Sequence, residues 1–404
     1  MPGPVQTRIR DKIPDRLWVP VVAVAVLVGC VLTVLLVRIE GDASRLVRAA
    51  PPWTDPASAL PSLSVLPHEY EFDGQFFYRL AVAPFSDAPS VAGVTFDIPA
   101  LRGSRWGLGM AGFLASVGQA GLVPWTLLAI NAAALVTLAF IGARFAQTSG
   151  RHAMWGVLLP LWPGFAYTLT LDTSELLAAT LLCAGLLAAR RQSFVWAAVW
   201  MSLAVITRET ALVGGLALLG AGLWPRFRPG RDGDPPVTRR ANGAWIAGAV
   251  SIACFVASQL FIGSNFGQLP LAASADNNAG IPFAGIFSAL LESIPPDTMV
   301  KALRLLSLLF VWGIIVVGAC TIRSSEARLA EKLAWCGSAA FIVVLNGNPL
   351  VSPPSFMRAA TELGLLTVIL LFGSRTRLLV PTAVAIVAVG VASIGTVLLK
   401  VPPG

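Results

Sequence analysis

Polar and apolar positions in this chain separate into long blocks instead of alternating, and many of the blocks have the length of membrane-spanning helices. Apolar runs lie at 18–37, 122–142, 152–170, 175–189, 194–206, 210–224, 241–262, 301–321, 330–346, 357–373 and 378–399. A helix needs about 20 apolar residues to cross the hydrocarbon core of a bilayer. The pattern therefore predicts an all-α, polytopic integral membrane protein with about eleven crossings. The first run is too long for a signal-peptide core and has no small-x-small cleavage site, so it reads as an uncleaved first helix. Residues 102–118 fit poorly: they are apolar, yet a full crossing there would invert the side on which every later loop emerges. They are expected to be re-entrant or interfacial, with twelve crossings as the alternative.

Composition supports the class. Apolar residues make up 56% of the chain and charged residues 12%, with a mean hydropathy of +0.75, against roughly 25% charged in soluble domains. Cys30, Cys183, Cys254, Cys320 and Cys336 all fall in apolar stretches with no C-x-x-C spacing, which indicates neither a disulfide framework nor a zinc site. The net charge of +8 is explained by topology, not by nucleic acid. Basic residues occupy alternate turns, at Arg144/Arg151, Arg190/Arg191, Arg226 through Arg240, Arg323/Arg328/Lys332 and Arg375/Arg377. The positive-inside rule places these turns in the cytoplasm together with the N-terminus. The expected organisation is a cytoplasmic segment 1–17, a transmembrane module 18–225 with a large extracytoplasmic loop 38–101, a Pro-, Gly- and Arg-rich linker 226–240, and a second module 241–404.

With this topology the acids collect in the outer loops. The run His68-Glu69-Tyr70-Glu71-Phe72-Asp73 would, if extended, point all three carboxylates one way. Beyond it, Phe76, Phe77, Leu80 and Val82 around Gln75 and Arg79 predict a short amphipathic helix lying in the interface. Asp73 then stands at the junction, as an N-cap, a functional carboxylate, or both. Glu69 and Glu71 read equally well as solvated loop charges or as contacts to a metal or substrate. His68-Glu69 does not complete H-E-x-x-H, and the other histidine, His152, lies on the far side, so a zinc peptidase is excluded. Asp172, Thr173 or Ser174 suits the N-cap, and Glu175 the first-turn acid, of the helix that follows. Arg208-Glu209 separates two short apolar runs, and reads either as an intramembrane ion pair or as an arginine aimed at a lipid phosphate.

The stretch Asp73-Gly-Gln-Phe-Phe-Tyr-Arg-Leu-Ala, the pair Arg102-x-x-Arg105, the acidic turn at Glu175, Arg190-Arg191 and Arg208-Glu209-Thr210-Ala211-Leu212 together resemble the GT-C glycosyltransferases. The similarity is to bacterial relatives of the dolichol-phosphate-mannose-dependent mannosyltransferases and covers about residues 15–225. Gly107 and Gly109 depart from it, where that family often has proline and long aliphatics. The resemblance implies a GT-C-like fold with interfacial helices in the first outer loop. It also implies an enzyme of the plasma membrane that moves a sugar, with inversion, from a polyprenyl-phosphate donor to a glycan or glycolipid hydroxyl on the outer face. Under it, Asp73 is the general base, and Arg208, then Arg105 and Arg102, hold the donor phosphate. His68, Glu69, Glu71, Gln75, Tyr78, Glu175 and Glu209 would contact or orient substrate, and a divalent cation at Glu69 and Glu71 is an option, not a requirement. Two rivals belong to other classes: a transporter or flippase of lipid-linked sugars, and a non-catalytic scaffold acting through the 38–101 loop.

Overall fold

The structure, a computed structural model, describes residues 15–227 and 239–400. Inside a bilayer every backbone N–H and C=O must be paired within the protein, which makes helix the default for the Leu-, Ala- and Val-rich runs. The described chain is accordingly almost all helix, with one antiparallel hairpin of β1 (Ser90–Val91) and β2 (Val94–Thr95). Its N-terminal half contains α1 (Trp18–Arg38), α2 (Gly74–Val82), α3 (Pro99–Ser104), α4 (Trp106–Ala115), α5 (Val123–Thr148), α6 (Gly164–Thr170), α7 (Glu175–Arg190), α8 (Phe194–Thr207) and α9 (Leu212–Phe227). The C-terminal half contains α10 (Arg239–Phe266), α11 (Pro270–Asn278), α12 (Ala284–Glu292), α13 (Met299–Thr321), α14 (Leu329–Val344), α15 (Asn348–Val351), α16 (Pro353–Ala359), α17 (Thr361–Phe372) and α18 (Leu379–Lys400). Most of the expected segment 1–17 and linker 226–240 lies outside the described residues.

Among the described residues five helices are long and apolar enough to cross a membrane: α1, the helix running through α5, α10, α13 and α18. A sixth results if α16 and α17, bent by 51° at their junction, form one broken span. The expectation of eleven full crossings is corrected accordingly. Helices α7, α9 and α14 have 16 residues and α8 has 14. At 1.5 Å per residue these rise about 21–24 Å, short of the roughly 30 Å hydrocarbon core. The 152–170 run is not one helix but a 3₁₀ turn at Ala153–Leu158 followed by α6. Pro160 and Pro163 interrupt the hydrogen-bond ladder there, and Gly156 lies so close to α5 that a Cβ would stand 2.5 Å from the Ala143 Cα. Helix α4, with ten residues, is too short to cross, which removes the twelve-crossing alternative at 102–118.

Helices α5, α7, α8, α10, α9 and α14 pack in a chain of neighbours, and α17 lies against α13 and α14. Every residue of α17 is buried, and Trp335 Nε1 donates to Thr367 Oγ1 at 2.8 Å across that contact. The two ends of the bundle differ chemically. At one end Arg190 holds Glu331 through Nε and Nη2 at 2.8 and 2.6 Å, and Arg151 donates to the Phe372 carbonyl. At the other end gather the loop 39–73, the turns before α7 and α9, and the start of α16.

Helix α2 exists where the sequence places it, but it does not lie in an interface. All its residues from Gly74 to Ala81 are buried, because the hairpin, α4 and the start of α5 close over it. Arg79 stacks on Phe96 at 3.9 Å and donates to the carbonyls of Pro89 and Val94, so an apparently polar face is used inside the fold. Gly107 and Gly109, the departures noted above, are what lets α4 sit between α8 and α2. A Cβ would meet the Thr207 Cα at 2.8 Å from Gly107 and the Leu80 carbonyl carbon at 2.9 Å from Gly109. Gly107→Val and Gly109→Val are each expected to destabilise by about 1–3 kcal/mol through overpacking, read as a lower midpoint of thermal unfolding in detergent. Gly313→Ala, at an open position of α13, is expected to leave the midpoint unchanged or raise it.

Candidate functional site

The acidic run begins with a 3₁₀ turn, His68–Tyr70, and not with the extended backbone on which the expected shared face of its carboxylates depends. The backbone then pairs with the start of the loop, Phe72 N donating to the Arg48 carbonyl at 3.1 Å. Gly74 opens α2 against two carbonyls: a Cβ there would lie 2.5 Å from both the Val47 and the Leu171 oxygens. Only glycine allows that approach, and it carries Asp73 to the turn preceding α7. Asp73 occupies the N-cap position, but its side chain accepts no capping hydrogen bond. Its carboxylate faces two arginines instead: Arg102 Nη1 at 3.0 Å and Arg358 Nη2 at 3.3 Å.

These contacts belong to a network of four arginines and five carboxylates. Arg102 also takes Asp97 through both Nε and Nη2 at 2.7 Å and stacks over Phe76. Arg105 grips Glu209 in the same forked manner, Nε to Oε2 at 2.9 Å. Arg208 pairs with Glu175, which also faces Arg358 Nη1 at 3.3 Å, and Arg358 stacks over Phe72. Thr210 donates to Glu362. Arg208 and Glu209 therefore do not pair with each other, because adjacent residues at the turn point to different elements. Apart from Glu362, the network lines a cavity of about 330 Å³, whose lining also includes Trp53, Phe341, Ser274, Asn278 and Ser355.

Burial and charge act oppositely on the acids. Desolvation would raise Asp73, but Arg102, Arg358 and Arg105 outweigh it and hold the carboxyl well below its usual range. Glu209 is likewise raised by burial, and Arg105 and Arg208 together with a backbone hydrogen bond outweigh this and lower it to about 2. Burial pulls Arg208 down to about 10, with Glu362 offsetting part of the effect. Asp172 differs: it is fully buried, held at a left-handed φ of +45°, and desolvation pushes it well above the ordinary value, with Asn131 beside it opposing. It is not the cap of α7, a position taken by Ser174.

Asp73, Arg102, Arg105, Glu175, Arg208 and Glu209 are thus brought together around one cavity. The other sequence candidates divide between the cavity and places away from it. His68 has a 70% exposed side chain, its Nδ1 meeting the Pro51 carbonyl and lying 3.7 Å from Glu71. Glu71 does line the cavity, and desolvation raises its carboxyl despite His68. The side chain of Glu69 lies outside the described residues. Gln75 reaches the cavity, but its amide oxygen is taken by Thr54 Oγ1 at 2.7 Å and the Ala50 N–H. Tyr78 is fully buried in the apolar cluster beneath the loop. It follows Asp73 by five residues, which rotates it about 140° around α2 and away from the cavity. Among the described residues no three His, Cys, Asp or Glu side chains are grouped as for a metal ion. Sequence reasoning missed Arg358, Asp97 and Glu362. Arg358 and Glu362 stand four residues apart at the start of an apolar run, and ionisable residues in such a place are themselves a signal.

Compared with family models, with curated proteins and with solved structures, the chain gives no match.

Glu209 links the site to stability. Its folded value of about 2 lies below the roughly 4.3 of a free glutamate, so its stabilisation is complete above about pH 5 and is lost as pH falls through about 4.3 toward 2. Glu209→Gln leaves Arg105 buried and uncompensated, and is expected to cost about 3 kcal/mol at neutral pH. Thermal unfolding in detergent between pH 6 and 3 checks this: the variant starts lower and loses less of its midpoint with acid than the parent.

Proposed function

We propose that this chain is an inverting, integral-membrane glycosyltransferase that moves a sugar from a polyprenyl-phosphate donor to an acceptor hydroxyl on the outer face of the cell membrane, in the synthesis of envelope glycans or glycolipids. The observation that carries the reading is the convergence of Asp73 and four arginines, together with Glu71, Asp97, Glu175 and Glu209, in the lining of a single cavity at one end of a bundle containing membrane-length helices. Transfer of a sugar from a phosphate needs both kinds of group. Asp73 takes the proton of the acceptor hydroxyl, whose oxygen attacks the anomeric carbon from the face opposite the phosphate. The carbon–oxygen bond to phosphate breaks, and its electron pair leaves on a phosphate oxygen facing Arg208. A placed base contributes typically 10²- to 10⁴-fold, and fixed cations stabilise charge as it develops on the leaving group.

The network refines the division of labour among the arginines. Arg102 and Arg105 are held in forked pairs with Asp97 and Glu209. They fix the position and ionisation of Asp73, and leave phosphate contact to Arg208. Glu175 orients Arg208, and Glu71 stands at the wall for contact with the acceptor.

A second reading, a transporter or flippase of lipid-linked sugars, draws on the 51° bend between α16 and α17. Arg358 and Glu362 flank that bend, and broken helices bearing ionisable groups are typical of transport sites. Purified protein supplied with a polyprenyl-phosphate sugar and a glycan acceptor separates the two. Transfer by the parent and a loss of at least about 10²-fold in Asp73→Asn, with thermal unfolding retained, is the expected result. Full transfer by Asp73→Asn removes Asp73 as the base, and movement of the lipid across vesicles without transfer favours the flippase.

A further inference from the structure

Arg358 is the most loosely held cation of the cavity. It is 5% exposed and comes from the C-terminal half, one residue before the end of α16 and beside the bend into α17. Arg102 commits Nε and Nη2 to Asp97 at 2.7 Å and Nη1 to Asp73 at 3.0 Å, and Arg105 commits its fork to Glu209. Arg358 reaches Asp73 and Glu175 only at 3.3 Å each, beyond the roughly 2.7–2.9 Å of a well-made charge-assisted bond. Its Nε has no hydrogen-bond partner and its Nη1 has only the long Glu175 contact; Nε of Arg208, which is 7% exposed, is likewise open, while Arg208 Nη1 lies against Glu175 Oε1. Two neighbouring guanidinium groups, both more than nine-tenths buried and both lining the cavity, thus carry open donors.

Open donors on a buried cation are costly, and a tetrahedral phosphate presents oxygens in the geometry that a guanidinium fork matches. Asp73 and Glu175 stand where such oxygens would be received. They keep the two arginines charge-balanced without completing their hydrogen bonds.

We propose that Arg358, with Arg208 beside it, is the anion-binding arginine of this cavity, and that a phosphate-bearing ligand draws Arg358 away from Asp73 and so unmasks the Asp73 carboxylate. The inference rests on the reading of the cavity as a donor-phosphate site, and adds to it an order of events. In the arrangement seen, both Asp73 oxygens are engaged by arginine, Oδ1 by Arg102 and Oδ2 by Arg358. A carboxylate so held is a poor proton acceptor. Transfer of Arg358 to the phosphate leaves Oδ2 free for the acceptor hydroxyl, so the base is ready only when the donor is in place. Asp73 and the phosphate then compete for one cation, and the competition is readable as coupling between them.

Binding of inorganic phosphate and of a polyprenyl phosphate to the purified full chain in detergent, measured by titration calorimetry, tests this without requiring transfer. Arg358→Gln is expected to weaken binding at least about tenfold, and Arg358→Lys, which keeps the charge but not the fork, to fall between it and the parent. Asp73→Asn, which removes the competitor, is expected to bind several-fold more tightly than the parent, an effect that a purely structural role for Arg358 would not produce. If Arg358→Gln does not fold, the lysine variant and Asp73→Asn carry the test. Parent-like affinity in the Arg358 variants, no tightening in Asp73→Asn, or no binding of either probe by the parent overturns the proposal. Tighter binding of the polyprenyl phosphate than of inorganic phosphate assigns the site to a lipid headgroup, and equal binding assigns it to free phosphate; either supports the role of Arg358 where the variants respond as stated. Arg358-dependent binding with no sugar transfer keeps this inference and removes the transferase reading.

Discussion

The sharing of one carboxylate between two arginines ties this molecule together. Asp73 belongs to the first large loop, Arg102 to the short helix α3, and Arg358 to the broken pair α16–α17 in the other half of the chain. A buried carboxylate is tolerable only when it is paired. The loop, the short helices and the C-terminal half must therefore come together for any of these charges to be accommodated. Glu175 repeats the device one layer deeper, placed between Arg208 and Arg358.

Close backbone approach makes that arrangement reachable. Gly74 lies against the Val47 and Leu171 carbonyls, and Gly107 and Gly109 let α4 nest between α8 and α2. None of these glycines carries chemistry. They set the distances at which Asp73 and Arg105 meet their partners, and side-chain forks such as Arg102–Asp97 then hold orientation as well as distance.

The near balance of four arginines and five carboxylates has a functional consequence. A cavity with a large positive surplus would bind any anion, whereas one whose cations are already matched admits an anion only by exchanging partners. Specificity then depends on which pairs are tight and which are loose, and the structure distinguishes them clearly. The forked pairs of Arg102 and Arg105 are closed, while Arg208 and Arg358 keep unbonded donors.

Some of this was legible in the linear pattern. The membrane class followed from block lengths and from the scarcity of charge, because the bilayer punishes unpaired polarity residue by residue. The grouping of Asp73, Glu175, Arg208 and Glu209 at one end followed from the alternation of apolar runs, and the two arginines at 102 and 105 from their place beside the loop. Other features were not legible. Helices of 14–16 residues counted as crossings because apolar content does not report how a helix is shielded by its neighbours. Tyr78 and Gln75 looked available because polarity in sequence does not reveal which face of α2 is covered. Arg358 lay about 285 residues from Asp73, in a run that read as plain membrane helix. What the sequence by itself determined was the solvent each segment must satisfy and the end of the bundle where the acids collect. Which charge meets which, and which arginine keeps donors to spare, was decided only by tertiary packing, because pairing energy depends on distances of a few ångströms that local pattern does not encode.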